Sequence, residues 1–125
     1  MKRLAILGST GSIGQSTLSI VEQFPERYQV ATLAAGRNID EVFAQSVRWR
    51  PRLVSLATEE LAAQLQARLH ESGITGIEVV HGTAGTVACS TRADVDFVVS
   101  AIVGVSRRKY NWPPARRTSS ARYSV

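Results

Sequence analysis

The stretch Leu4-Ala5-Ile6-Leu7-Gly8-Ser9-Thr10-Gly11-Ser12-Ile13-Gly14 decides the fold of this chain of 125 residues. Its first four residues form a continuous apolar run, which is typical of a central parallel strand buried on both faces. Three glycines follow, and apolar residues then recur at helical spacing up to Pro25. A buried strand that turns through glycines into a helix indicates a βαβ unit whose loop binds phosphate.

The three glycines of this loop have different expected roles. Gly8 permits the tight turn out of the strand, Gly11 lets a phosphate approach the backbone, and Gly14 lets the helix pack against the strand. The spacing G-x-x-G-x-x-G departs from the commoner G-x-G-x-x-G dinucleotide motif. A P-loop is disfavoured, because with Gly14 as its second glycine it would need a glycine in place of Ser9 and a lysine in place of Gln15.

Hydroxyl groups surround the glycines of the loop. We expect Ser9, Thr10 and Ser12 to donate hydrogen bonds to phosphate oxygens. Ser9 or Ser12 is also expected to cap the helix that follows, because serine is a preferred N-cap residue.

Outward from the loop, strands and helices alternate along the chain. Further strands are predicted at residues 28–35, 52–57, 77–80 and 96–103. Helices are predicted behind Asn38, behind Thr58 and, as a short segment, at residues 83–90. Strict alternation with β-branched residues in the strands favours an α/β fold, namely a Rossmann-like, doubly wound parallel sheet.

The end of the second predicted strand determines the cofactor preference. A protein that uses NAD usually has Asp or Glu here to bind the ribose 2′-hydroxyl, but this chain has Ala35-Gly36-Arg37-Asn38. Arg37 can pair with a 2′-phosphate, which a carboxylate would repel, and Asn38 can add hydrogen bonds. NADPH is therefore preferred over NADH, although Asp40 would weaken the preference if it faced the ribose.

The net charge of +5 is distributed unevenly along the chain. Residues 1–104 carry 9 Lys and Arg against 10 Asp and Glu, whereas residues 105–125 carry 6 basic residues and no acidic one. The last segment also lacks helical or strand periodicity, so we predict a disordered tail at 105–125. Nucleic-acid binding through this tail is a less favoured alternative; its residues would be Arg107, Arg108, Lys109, Tyr110, Trp112, Arg116 and Arg117.

Length, hydropathy and cysteine content limit the class of protein further. An apolar content of 44% in 125 residues fits one domain. No apolar run approaches the roughly 20 residues that cross a membrane, and no signal-peptide cleavage pattern follows Met1, so we expect a cytoplasmic protein without a membrane partner. Cys89 has no second cysteine and no histidine at a metal-ligand spacing, and is expected to fill space in the core.

Three segments together resemble the 1-deoxy-D-xylulose-5-phosphate reductoisomerase family, the NADPH-dependent enzymes of the non-mevalonate isoprenoid pathway. They are the opening stretch 4–14, Ala34-Ala35-Gly36-Arg37-Asn38, and Ser100-Ala101-Ile102-Val103-Gly104. The resemblance covers residues 1–104 and implies an NADPH-binding domain that is incomplete relative to the family. It implies that residues 10–13 bind the pyrophosphate, that 36–38 bind the 2′-phosphate, and that 101 and 102 approach the adenosine.

The expected cofactor-binding residues are Gly8, Thr10, Gly11, Ser12, Ile13, Gly14, Gly36, Arg37, Asn38, Ala101 and Ile102. No catalytic or metal-binding residue is expected in the chain. The acidic and histidine candidates have simpler expected roles as turn residues, helix-dipole partners or surface groups; they are Asp94, Asp96, Glu59, Glu60, His70 and His81.

The resemblance also implies what the chain lacks. Enzymes of the family convert 1-deoxy-D-xylulose 5-phosphate to 2-C-methyl-D-erythritol 4-phosphate with Mg²⁺ or Mn²⁺, and the family suggests a homodimer. Their metal and substrate residues lie beyond the resembling part, so the chain alone is expected to be inactive. We hypothesise that residues 105–125 arise from a frameshift, which translation of the gene in the other frames would test. A stand-alone NADPH-binding module without catalysis is the alternative.

Overall fold

The computed structural model describes residues 1–100. The predictions for Ala101, Ile102 and the basic tail at 105–125 lie outside these residues. The strands are β1 (Lys2–Leu7), β2 (Tyr28–Ala34), β3 (Leu53–Leu56), β4 (Glu78–His81) and β5 (Phe97–Ser100). The helices are α1 (Ser12–Gln23), α2 (Ile39–Trp49), α3 (Glu59–Glu71) and α4 (Gly82–Thr91). The predicted alternation of strands and helices is confirmed.

All five strands form one parallel sheet in the order β4-β3-β2-β1-β5. The chain moves outward from β1 to β4 and then returns through α4 to place β5 on the other side of β1. The strand order therefore reverses at β1, as it does in doubly wound folds. This arrangement confirms the predicted Rossmann-like class.

The two faces of the sheet are covered by different helices. Leu4 and Ile6 of β1 pack into one apolar cluster, which includes residues of α1, α2 and α3. Ala5 and Leu7, which alternate with them, pack into a second cluster that includes Cys89 of α4. Because successive side chains of a strand point to opposite faces, an apolar run of four residues fills both layers at once.

Helix α4 packs closely on the sheet because one of its residues lacks a side chain. A Cβ added at Gly85 would meet the side chains of Ser55 and Val80. Cys89 on the same helix is fully buried, and its burial raises the pKa of the thiol to about 12, although the hydrogen bond with Thr32 acts in the opposite direction. The thiol therefore stays protonated at neutral pH, in agreement with its predicted packing role.

The ends of several elements differ from the prediction by one or two residues. β1 begins at Lys2, since Lys2 and Arg3 pair with Tyr28 and Gln29 although both are exposed. β5 begins at Phe97, and residues 101–103 of its predicted extent lie outside the described part. Helix α4 extends beyond the predicted 83–90 at both ends.

Asp96 joins the starts of β1 and β5. Its carboxylate accepts a hydrogen bond from the backbone N–H of Arg3 at 2.9 Å, and the Asp96 N–H donates to the Arg3 carbonyl at 2.8 Å. Partial burial raises the pKa of this carboxyl, but the hydrogen bonds from Arg3 outweigh it, so the pKa lies below its usual value of 3.8. The predicted turn residue therefore also links two neighbouring strands.

Replacing Asp96 with alanine is expected to lower the free energy of unfolding by about 0.5–1 kcal/mol at neutral pH, because the pair is largely exposed. When folding lowers the pKa of a carboxyl, that carboxyl stabilises the folded protein fully at any pH above its pKa in the unfolded chain, about 3.9. That contribution is lost as the pH falls through the lower folded value. Urea titrations of both proteins should show a difference at about pH 7 that shrinks toward pH 3.

Glu26→Ala is the matched control, because Glu26 is an exposed turn residue with no ion pair among the described residues. A difference for Asp96→Ala that stays constant down to about pH 3 would contradict a charge-dependent role for Asp96.

Candidate functional site

The candidate site lies at the carboxyl ends of the central strands. Leu7, the last residue of β1, pairs with Ala34 on one side and Ser100 on the other. The loops that leave β1 and β2 therefore meet at one edge of the sheet, beside the end of β5, where the strand order reverses. In open α/β sheets this is the place where ligands bind.

The loop after β1 is fixed to β2 by its backbone. The N–H groups of Gly8 and Ser9 both donate to the Ala34 carbonyl, at 2.7 and 3.0 Å, and the Gly11 N–H donates to the Gly8 carbonyl at 3.1 Å. Gly8 has a φ of +85°, in the left-handed region that favours glycine. These bonds give the loop one shape before any ligand arrives.

Helix α1 begins without a side-chain cap. Its N-cap residue is Gly11, which offers no capping side chain, and the first intrahelical bond runs from the Gln15 N–H to the Gly11 carbonyl at 2.9 Å. The N–H groups of Ser12, Ile13 and Gly14 therefore have no acceptor within the helix. The prediction that Ser9 or Ser12 caps the helix is wrong, and the helix start is left open to an anion.

Gly11 and Gly14 have different structural reasons to be glycine. A Cβ at Gly14 would overlap the Gly8 carbonyl oxygen and lie 2.7 Å from the Ser9 Cα atom, so Gly14 is required for packing as predicted. A Cβ at Gly11 would meet only the Gly8 oxygen, at an ordinary 3.5 Å. Packing therefore does not require glycine at position 11, which fits its predicted role in letting a phosphate approach.

The side chains of the loop differ in their access to a ligand. Thr10 is half-buried, and Ser12 is exposed together with Ile13, whose side chain presents apolar surface beside the helix start. Ser9 has no exposed surface, and its hydroxyl has no hydrogen-bond partner among the described residues. The Ser9 hydroxyl is therefore less accessible to a ligand than those of Thr10 and Ser12, and its hydrogen bond to a phosphate stays a prediction.

The loop after β2 forms the second part of the site. The Gly36 carbonyl accepts a hydrogen bond from the Ala57 N–H at 2.9 Å, but a Cβ at Gly36 would meet nothing within 4 Å. Asn38 caps α2 as predicted, with its side-chain oxygen accepting from the Glu41 N–H at 3.1 Å. Arg37 is exposed, and within residues 1–100 it makes no ion pair. Its guanidinium remains free for an anionic ligand.

Asp40 does not compete with Arg37. Its carboxylate binds the Arg68 guanidinium of α3 at 2.7 Å, and the same guanidinium lies over the Phe43 ring at 4.4 Å from its centroid. Asp40 could have weakened a preference for a 2′-phosphate, but its carboxylate is paired with Arg68 between α2 and α3.

Two glutamines that the sequence analysis did not select hold the glycine loop. The Gln15 side-chain amide donates to the Thr10 carbonyl at 2.9 Å, and that of Gln45 donates to the Ser9 carbonyl at 2.9 Å. Gln45 follows the buried Val42 by three residues, so it lies on the core face of α2. A polar residue at such a position is the signal that could have identified it.

The acidic and histidine candidates do not assemble into a second site. No group of three or more His, Cys, Asp or Glu within residues 1–100 is placed to hold a metal ion. Asp94 faces the Arg92 guanidinium at 3.0 Å, while His70 and His81 are exposed. The acidic first turn of α3 complements the helix dipole, as predicted for Glu59 and Glu60. None of the helices in this part of the chain is long and apolar enough to cross a membrane.

Comparison with known proteins identifies one family. The family model for 1-deoxy-D-xylulose 5-phosphate reductoisomerase matches residues 4–107. The protein of that name from Geotalea uraniireducens is 49% identical over 106 residues, which are 85% of this chain and 27% of the relative. The one from a Synechococcus species is 44% identical over 107 residues, covering 83% of this chain and 26% of the relative. The chain spans about a quarter of the length of these relatives.

Solved structures give the same result for the fold. A DOX-P reductoisomerase in complex with NADPH, fosmidomycin and magnesium superposes with a TM-score of 0.76 at 33% identity, over 81% of this chain and 24% of that one. The enzyme from Zymomonas mobilis in complex with NADPH superposes with a TM-score of 0.70 at 30% identity, over 78% of this chain and 25% of that one.

Proposed function

Because this chain belongs to the 1-deoxy-D-xylulose 5-phosphate reductoisomerase family, we propose that it binds NADPH and forms the cofactor-binding part of such an enzyme. The observation that carries the proposal is the open start of α1 at the point where the strand order reverses. The N–H groups there have no acceptor in the helix and no side-chain cap, so a pyrophosphate can take that place.

The loop between β1 and α1 holds the pyrophosphate. Gly8 shapes the turn and Gly14 sets the contact between helix and loop, while Gly11 leaves room for the phosphate. The N–H groups of Ser12 and Ile13 bind the anion, and the hydroxyls of the exposed Ser12 and the half-buried Thr10 add hydrogen bonds. The Ile13 side chain, 53% exposed, supplies apolar contact with the cofactor.

The loop between β2 and α2 holds the 2′-phosphate. Arg37 pairs with it because its guanidinium has no competing carboxylate in the described part of the chain. The open surface at Gly36 lets the ribose phosphate lie against the backbone. The Asn38 side-chain NH₂ remains available as a donor, since only its oxygen is used by the helix cap. The residues thus fit NADPH, and Ala101 and Ile102 are proposed to complete the site beside the adenosine.

We propose that the described residues supply the cofactor site and not the metal or substrate sites of such an enzyme. NADPH, when bound, supplies the hydride for a reductase. The described residues do not fit Mg²⁺ or Mn²⁺, because no group of candidate ligands is close enough together. We therefore assign the metal, the sugar-phosphate substrate and any homodimer contact to the longer enzyme, and we propose that the 125-residue chain alone does not turn over.

NADPH titration of the chain tests this function. Once circular dichroism shows that the chain is folded, NADPH should bind at least about tenfold more tightly than NADH, which corresponds to about 1.4 kcal/mol. Gly11→Ala should fold, because its Cβ has room, but should weaken NADPH binding by about tenfold, because the methyl group occupies the approach to the backbone.

The matched control is Gly73→Asn, at the end of α3 and away from the site, where asparagine tolerates the positive φ of 76°. It should bind NADPH like the unsubstituted chain. Failure of the folded chain to bind NADPH would refute the proposal. Oxidation of NADPH with 1-deoxy-D-xylulose 5-phosphate and Mg²⁺ above background would contradict the assignment of no catalytic role.

A further inference from the structure

Gln45 of α2 reaches the glycine loop from a distant part of the sequence. Its Nε2 atom donates to the Ser9 carbonyl oxygen at 2.9 Å, and only 6% of the residue is exposed. Helix α2 thus touches the loop through one buried hydrogen bond.

The bond fixes the orientation of the peptide between Ser9 and Thr10. In a planar trans peptide the carbonyl and the following N–H point in opposite directions. Because the Ser9 carbonyl points to Gln45, the Thr10 N–H points away from α2. That N–H donates to no backbone acceptor among residues 1–100. Helix α2 connects β2 and β3, whereas the crevice between β1 and β5 lies on the opposite side of β1.

Core packing alone does not account for Gln45. The side-chain oxygen Oε1 is buried and has no hydrogen-bond partner in the described part of the chain. A buried polar atom without a partner lowers stability, and an apolar side chain of similar size would avoid that loss. The feature that glutamine adds here, and leucine or methionine would not, is the donor to Ser9.

We propose that Gln45 is a positioning residue of the cofactor site. Its amide holds the Ser9 peptide so that the Thr10 N–H joins the N–H groups at the start of α1 in binding the pyrophosphate. This inference rests on the proposed NADPH binding and deepens it. Gln15 makes a similar bond to the Thr10 carbonyl at 2.9 Å, but it is exposed, and water can replace its donor.

Two substitutions at Gln45 separate its donor from its volume. Gln45→Met keeps the length of the side chain and removes the donor, so NADPH affinity should fall about tenfold at every pH. In Gln45→Glu the ionised carboxylate has no proton to donate, whereas the protonated carboxyl has one. Burial raises the pKa of such a carboxyl, so we expect binding about tenfold weaker at about pH 7.5 and recovery toward the unsubstituted chain at about pH 5.

The dissociation constants are measured on folded protein by NADPH fluorescence, each relative to the unsubstituted chain at the same pH. Gln45 lines a groove between α1 and α2 whose charged residues are Glu22, Glu41 and Arg48. The ratio removes any effect of pH that the two proteins share. Gln64→Met, on the exposed face of α3, is the matched control and should change the affinity by less than about twofold. The inference is supported if the NADPH affinity of Gln45→Glu recovers at low pH while that of Gln45→Met does not. A purely structural role would not depend on whether the carboxyl at this position carries a proton.

Equal NADPH affinity of Gln45→Met and the unsubstituted chain would overturn the inference. If the folded, unsubstituted chain does not bind NADPH, the proposed function fails. The effect of Gln45 on the Ser9–Thr10 peptide is then tested on the ligand-free protein. The amide resonance of Thr10 in a ¹H–¹⁵N spectrum should shift in Gln45→Met and stay in place in Gln64→Met. An unshifted Thr10 resonance would overturn the positioning role by itself.

Discussion

Replacing Gly14 with alanine is expected to lower the free energy of unfolding by about 3 kcal/mol or more, because the added Cβ overlaps backbone atoms. It would lie on the Gly8 carbonyl oxygen and 2.8 Å from the Ser9 carbonyl carbon. These atoms cannot move aside easily, since the N–H groups of Gly8 and Ser9 are both bonded to the Ala34 carbonyl. Urea denaturation followed by circular dichroism measures the loss.

The neighbouring glycine provides the control for this prediction. Gly11→Ala places its Cβ 3.5 Å from the Gly8 oxygen, an ordinary contact. Alanine is a poorer N-cap than glycine, so its cost in stability should stay near or below about 1 kcal/mol. The two variants therefore separate packing from ligand access. If Gly14→Ala were as stable as Gly11→Ala, the close contact between α1 and the loop would not be needed for the stability of the fold.

Replacing Arg37 with glutamate is expected to remove the preference for NADPH. The substitution exchanges an attraction to the 2′-phosphate for a repulsion, and loss of such an interaction costs about 2–3 kcal/mol, or about 30-fold to 150-fold in the dissociation constant. NADH lacks the phosphate, so its affinity should stay the same or rise, because a carboxylate can accept hydrogen bonds from the ribose hydroxyls. Parallel titrations with the two cofactors measure both effects.

Arg52→Glu is a matched control, because Arg52 is also exposed but precedes β3, at the opposite edge of the sheet. It makes the same change in net charge, so it reports the long-range electrostatic effect alone. An unchanged NADPH preference in Arg37→Glu would remove Arg37 from the site. An equal loss of NADPH affinity in both variants would mean that net charge, rather than a local contact, sets the preference.

The glycine loop and the fold class could be predicted because their signals are local in the sequence. The apolar run 4–7 followed by glycines at 8, 11 and 14 determines a buried strand, a tight turn and a close helix, whatever the rest of the chain does. Asn38 and Thr58 were predicted correctly as helix caps, since a cap bonds to a backbone N–H three residues away. The same reasoning failed at α1, where the N-cap is Gly11 and no side chain takes the open N–H groups.

Other features depend on residues that are distant in the sequence. The burial of the Ser9 hydroxyl, the engagement of Asp40 by Arg68 and the link between Arg3 and Asp96 each need two elements to be placed side by side. No periodicity or motif in one segment indicates which way such a side chain points. Asp40 is an example. The sequence did not indicate whether its carboxylate faces the ribose or α3, and the structure places it on Arg68 of α3.

The sequence by itself determined the glycine loop, the alternation of strands and helices, and the position of Arg37 after β2. Those features follow from backbone geometry and from residues within a few positions of one another. The tertiary structure alone decided that the Ser9 hydroxyl is buried and that Gln45 holds the Ser9 carbonyl from α2. The reason is physical: the direction of a peptide N–H is set by the partner of the preceding carbonyl, and here that partner is 36 residues away.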